Sequence, residues 1–176
     1  LPTGASTSNP IPMAAAIGAR LPVQDPGGNF IVDIGGGTTE VAVISLGGIV
    51  ISKSLRIAGD KLTEDIIKFI REEFKLAIGE PTAEELKINI GSAIPIEERL
   101  EFPIRGRDMA TGLPREVVVK GSQVRAALAR SLRLIVEAIK ESIELAPPEL
   151  GGDILRSGIY LCGGGSLLKG ISELIA

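Results

Sequence analysis

The segment Asp33-Ile-Gly-Gly-Gly-Thr-Thr39 puts a carboxylate at the end of an apolar run, three residues without side chains at a bend, and two hydroxyls where the next run begins. Glycines allow positive φ and let backbone N–H groups close on an anion, hydroxyls add donors, and a carboxylate can hold a hydrated magnesium ion. These are the parts of a phosphate site. The same residues also suit a plain hairpin turn with a capping aspartate, because short motifs match by accident. A second glycine turn, Leu161-Cys-Gly-Gly-Gly-Ser166, follows an apolar run and opens a helical one. There amides and the positive end of a helix dipole can face an anion, and close packing of strand on helix is the competing account. Two such turns, about 130 residues apart and both on strand ends, can flank one nucleotide.

Other chemistries are closed off. Without histidine the chain can form no Ser-His nucleophile pair, His general base or mixed Cys/His zinc site. Its single cysteine, Cys162, makes no internal disulfide, which favours a reducing, cytoplasmic setting. On a buried strand, with no histidine to activate it, Cys162 reads as a small core residue. The net charge of -3 and the 3% aromatic content give nucleic acid neither a basic footprint nor stacking surfaces. No run of about 18 apolar residues predicts a membrane span, and the start lacks the basic region of a signal peptide. The pairs Glu72-Glu73, Glu84-Glu85 and Glu97-Glu98 read as solvated faces, and no residue is assigned a catalytic role.

The elements that must position the two turns follow from periodicity. Residues 1–11, small, polar and proline-broken, read as linker, with order beginning near Pro12 and a short helix over Met13–Ile17. From Phe30 to Ile57, β-rich runs separated by glycine turns predict a three-stranded antiparallel meander. Asp60 is placed to cap a helix in which Leu62, Ile66, Ile67, Ile70 and Phe74 form one stripe closing at Gly79. Thr82-Ala-Glu-Glu85 reads as a capping box for a helix to about Ile90. Residues 95–120 read as a two-stranded ribbon with one solvated face. A long helix starts at Ser122, with Val124, Leu128, Leu132, Ile135, Ile139 and Ile143 inward, room for a kink at Arg130–Ser131, and a stop at Pro147-Pro148. A short helix over Pro148–Arg156, a buried strand over Ile159–Cys162 and a helix from Ser166 to Ala176 complete the reading.

At 176 residues, 44% hydrophobic and 23% charged, the chain suits one domain with a small subdomain and an aliphatic core. The fold class is α/β: the meander joined by the Ile159–Leu161 strand in one sheet, with the helices Asp60–Ala77 and Ser122–Ala146 packed on it. Residues from about 79 to 120 are expected to make a charged lobe with a small satellite core that opens at lower free energy.

These residues resemble a known family. Asp33 through Ile49, Gly59-Asp60, Ile78-Gly-Glu80 with Thr82-Ala-Glu-Glu-Leu-Lys87, Ile90-Gly-Ser-Ala93, Arg105-Gly-Arg-Asp108 with Thr111-Gly-Leu-Pro114, Pro147-Pro-Glu-Leu150 and Gly163-Gly-Gly165 follow one another as in MreB, the bacterial actin homologues. The resemblance covers roughly residues 12 to 176.

It implies an actin-like, ribonuclease H-like ATPase fold in which two halves clasp ATP and magnesium. It further implies a cytoskeletal ATPase that determines rod cell shape, self-associates into filaments beneath the inner membrane and works with the cell-wall synthesis machinery, with no nucleic-acid partner. By resemblance Gly36, Gly37 and Thr38 meet the phosphates and Asp33 the magnesium through water. Glu84, Glu85, Leu86 and Lys87 line the ribose and base side, and Gly164, Gly165, Ser166 and Leu167 the adenosine and phosphate edge. Residues 12–78 and 131–176 correspond to the ribonuclease H-like core, subdomain IIA, and 79–130 to the inserted small subdomain, IIB.

The departures carry expectations of their own. The chain begins at Leu1 and lacks the family's first half and final strand, so it reads as a second-half fragment. With half of the cleft absent the isolated chain is expected to bind ATP weakly if at all, and with Ile11 in place of the family's water-positioning glutamate it is expected to hydrolyse ATP no faster than background. The alternatives are a piece of a heat-shock chaperone ATPase or sugar kinase of the same superfamily, and a stable folding module without activity of its own.

Overall fold

A computed structural model describes residues 10–97 and 99–176 of the chain. Residues 1–9 of the expected linker, and Glu98 of the third carboxylate pair, lie outside the described residues.

The meander forms as its glycine punctuation requires. Strands β1 (Asn29–Ile34), β2 (Thr39–Ser45) and β3 (Gly48–Leu55) pair antiparallel, Asp33 opposite Glu40 and Val43 opposite Ile51. The late strand Ile159–Cys162 lies parallel to β1, giving the spatial order β3-β2-β1 and then this strand. Strands β1 and β2 are covered on both faces, which explains their near-continuous apolar runs. One face meets α2 (Gly59–Phe74) and α4 (Gly121–Glu144) through Phe30, Val32, Val41 and Val43 against Leu62, Ile66, Leu128 and Ile135. The other face packs Ile31, Ala42 and Ile44 against Ala16 of α1 (Ile11–Gly18) and Leu21.

A second sheet, in the order β4 (Leu76–Ala77), β5 (Glu101–Asp108), β6 (Pro114–Lys120), sits with α3 (Glu80–Ile90). It has its own ladder without a core of its own. Leu76, Ala83, Leu86, Ile104 and Val119 belong to the same buried cluster as Phe30 and Val32. The satellite core expected for this lobe is therefore replaced by one continuous core, because α3 and the inner face of the hairpin fold back onto α2 and α4.

Several boundaries move for local reasons. Helix α2 ends at Phe74, not Gly79: Lys75 turns left-handed at φ 52 and fully buried Leu76 leaves to pair with Asp108. Extended Ala58, not Asp60, is the N-cap, with no side-chain cap bond. Helix α3 opens at Glu80 behind Gly79 with Pro81 in its first turn, so Thr82 lies inside the helix and forms no capping box. Helix α4 runs unbroken, its Ser131 buried and bonded to Asp65 of α2, and its phase leaves Ile143 37% exposed while Ala138 and Ser142 turn inward.

The last segment differs most. After α5 (Pro148–Ser157), β7 (Ile159–Cys162) is half-buried rather than buried. The helix expected over Ser166–Ala176 is instead a 3-10 turn over Gly164–Leu167 followed by the short α6 (Ile171–Ile175). The second glycine turn therefore has no long helix, and no helix dipole, behind it.

Candidate functional site

The first glycine turn is built by hydrogen bonds to itself and to α2. Gly35 N–H donates to Thr38 O at 3.0 Å and closes the bend. The carbonyls of Gly35 and Gly36 accept from Gly59 N–H at 3.0 Å and Asp60 N–H at 2.9 Å. These are early amides of a helix, which have no partner within the helix itself. The amides of Gly36, Gly37 and Thr38 make no hydrogen bond among the described residues, and Gly36 and Gly37 are exposed. Three neighbouring free N–H groups on a bend are what an anion requires.

The second turn lies directly against the first. A Cβ on Gly165 would lie 2.3 Å from Cγ2 of Ile34, so strand end and turn are in contact. Gly35, Gly36, Gly164 and Gly165 line one cavity of about 630 Å³. The two glycine turns therefore meet at one site.

The third wall is one face of α3, where Glu80, Glu84, Lys87 and Ile88 fall at helical spacing along the cavity. Lys87 Nζ donates to Gly59 O at 3.0 Å and Thr63 Oγ1 at 2.9 Å, and pairs with Glu84 Oε2 at 2.7 Å. Burial pushes the Glu84 carboxyl upward, but hydrogen bonds from Lys87 and Thr63 outweigh it and hold the group below the ordinary glutamate range. Glu84 is a carboxylate at neutral pH. Ile88 and Leu167 offer exposed apolar surface at 65% and 83% exposure, enough for a flat ring to cover.

The residues named from sequence divide accordingly. Gly36, Glu84, Lys87, Gly164, Gly165 and Leu167 line the cavity. Gly37 and Thr38 sit on the same turn outside the lining, and half-buried Asp33 is the next-to-last residue of β1, behind it. Glu85 faces a separate cavity of about 340 Å³ beside Arg105, and Leu86 is fully buried in the core. The Ser166 hydroxyl donates to Gly163 O at 2.6 Å. Gly59 and Asp60, which the sequence offers as a family motif and a helix start but not as site residues, line the cavity together with Lys169, and Thr63 reaches the site through Glu84 and Lys87.

Cys162 neighbours Asp33 across the parallel ladder. Burial, with the Asp33 charge second, pushes its thiol up to about 11, which agrees with an inert role. Among the described residues no group of three or more metal-ligating side chains is present, and no helix is long and apolar enough to cross a membrane.

A meander with a parallel fourth strand, two glycine turns meeting at the strand ends and a lobe between them defines the actin-like class, and solved structures agree. MreB5 of Spiroplasma citri, in a crystal structure bound to AMPPNP, matches with TM-score 0.89 and 42% identity over 93% of this chain and 49% of that one. A MamK double helical filament matches with TM-score 0.75 and 25% identity over 93% and 48%.

The chain belongs to the MreB/Mbl family, whose description, MreB/Mbl protein, matches residues 4–176. The cell shape-determining protein Mbl of Bacillus subtilis (strain 168) is 48% identical over 165 residues, 94% of this chain and 50% of that protein. The chain spans about half the length of the curated relatives it matches. The chaperone and sugar-kinase alternatives are not favoured.

Proposed function

We propose that this chain is the nucleotide-binding half of a filament-forming, actin-like ATPase that determines rod cell shape in bacteria. The observation that carries the reading is the meeting of two glycine turns, far apart in sequence, in one cavity with Glu84 and Lys87 on its third wall. The free amides of Gly36, Gly37 and Thr38 suit phosphate oxygens, with Gly164 and Gly165 close behind. Glu84, Ile88 and Leu167 suit a sugar and a planar base. The carboxylates of Asp33 and Asp60 beside the turn suit a hydrated magnesium ion. The AMPPNP-bound MreB5 relative supports the nucleotide, and the MamK filament supports self-association.

In this reading residues 12–78 and 131–176 form the ribonuclease H-like core and 79–130 the inserted subdomain. The filament lies beneath the inner membrane beside the cell-wall synthesis machinery. The rest of the relatives' length supplies the opposite wall of the cleft. The isolated chain therefore binds magnesium-ATP weakly and hydrolyses it no faster than background, and none of its residues is assigned a catalytic role. Each charge-assisted hydrogen bond from the missing wall is worth about 1.5–3 kcal/mol, so two of them change affinity by roughly 100-fold or more. Titration calorimetry with magnesium-ATP beside a phosphate-release assay tests this. Weak binding, lost in Asp33→Ala and Thr38→Ala, is expected. Steady turnover abolished by either substitution would overturn the half-site reading, and binding indifferent to both would overturn the site.

A further inference from the structure

The cluster on the third wall has an internal order that its residue types do not reveal. The Lys87 ammonium has three protons and meets three protein acceptors: Gly59 O at 3.0 Å, Thr63 Oγ1 at 2.9 Å and Glu84 Oε2 at 2.7 Å. Its side chain is only 14% exposed, and no donor is left over for a ligand. Thr63, on α2, is 2% exposed and lies 2.7 Å from the same Glu84 oxygen. A threonine inside a helix ordinarily bonds the carbonyl four residues back, here Gly59 O at 3.0 Å. With Lys87 already donating to that carbonyl, the hydroxyl proton goes to the carboxylate, whose bond is the stronger one. Glu84 Oε2 thus takes two donors, while Oε1 makes no hydrogen bond among the described residues on a side chain that is 45% exposed at the cavity wall.

We infer that Thr63 is a positioning residue for the nucleotide site: its hydroxyl locks Lys87 into the protein and fixes Glu84 so that one carboxylate oxygen accepts from a ligand sugar hydroxyl. Lys87 acts through Glu84 and touches no phosphate. The inference rests on the nucleotide reading, but its first half concerns the protein alone.

The test has two arms on the full chain. In the first, proton–nitrogen NMR follows the Lys87 ammonium, assigned by its loss in Lys87→Met. The wild type and Thr63→Ser should show a slowly exchanging signal, and Thr63→Val, which keeps the shape and removes the hydroxyl, should lose it. In the second, amide NMR titrations to millimolar concentration compare magnesium-ATP, its 2′-deoxy and 3′-deoxy analogues, and adenosine.

The wild type and Thr63→Ser should prefer the ribonucleotide over the weaker of the deoxy analogues by about tenfold, the value of one hydrogen bond to a charged group, and Thr63→Val should bring the ratio near one. Lys87→Met should weaken ATP and adenosine by the same factor. A merely structural hydroxyl would leave the sugar preference intact in Thr63→Val, and that result, or failure of Thr63→Ser to restore it, overturns the proposal. A loss in Lys87→Met larger for ATP than for adenosine shows that Lys87 touches phosphate and overturns the second half. If the wild type binds no nucleotide, the functional reading fails, and the ammonium arm still decides whether Thr63 locks Lys87.

Discussion

Gly163 and Asp33 meet through the space a side chain would fill: a Cβ on Gly163 would lie 2.4 Å from Oδ1 of Asp33 and 2.4 Å from Ile34 O. Gly163 also holds φ at 81, which residues with a Cβ rarely adopt. The contact fixes the second glycine turn against the end of β1, and so sets the distance between the two walls of the cavity.

Gly163→Ala should therefore destabilise the chain by about 2 kcal/mol or more, since backbone strain and a clash with a carbonyl act together. Gly164→Ala, which meets nothing within 4 Å, should stay within about 0.5 kcal/mol of the wild type. Urea unfolding of both variants decides the matter. Equal stabilities would mean that the two turns are not held in contact.

The raised thiol of Cys162 predicts slow alkylation. At pH 8 a free cysteine is partly thiolate, whereas a group at about 11 is almost wholly protonated, so iodoacetamide should react roughly a hundredfold more slowly with the folded chain than with the unfolded one. The folded-state value is raised, so the associated stability is complete below the unfolded value of about 8.5 and is lost as pH rises toward 11. Asp33→Asn should speed alkylation, because Asp33 contributes to the shift. A rate equal to that of the unfolded chain would contradict the half-buried placement.

Asp108 predicts the opposite pH dependence. Backbone N–H groups of Thr111 and Ala110, at 2.9 and 2.8 Å, and the Arg115 guanidinium hold its carboxyl below the ordinary aspartate range. A lowered carboxyl contributes stability that is present above its unfolded value and lost as pH falls through the folded one. The β5–β6 hairpin should loosen in that acid window, and Asp108→Asn should remove this part of the acid dependence while weakening the turn at neutral pH. Hydrogen exchange of hairpin amides at neutral and acidic pH reads it. Identical acid profiles for wild type and variant would rule out Asp108 as the group.

The continuous core predicts joint unfolding of lobe and sheet. Ile104, 2% exposed on β5, shares its cluster with Phe30 and Val32. Ile104→Ala should cost about 2–5 kcal/mol and lower the protection of β1 and β2 amides together with those of β5 and β6. Loss of protection confined to residues 79–120 would restore the independent lobe that the charge pattern suggests.

Elements whose signals are local are legible in the order of residues alone. The meander is legible because runs of Val and Ile between glycines have few other conformations, and α2 and α4 because Leu62, Ile66 and Ile70, like Leu128, Leu132 and Ile135, repeat at helical spacing. The motif order from Asp33 to Gly165 carried the family and the two turns of the site. How these parts close depends on long-range packing. Lys75 ends α2 because Leu76 must be buried, and the second turn lost its expected helix to a 3-10 bend packed on Ile34. Thr63 reaches Glu84 and Lys87 across 21 and 24 residues of chain. Such a contact leaves no periodic trace, because it depends on which faces of α2 and α3 the shared core turns toward each other. The protonation of Cys162 likewise follows from burial beside Asp33, and the orientation of Glu84 from partners on another helix, which no spacing within either motif contains.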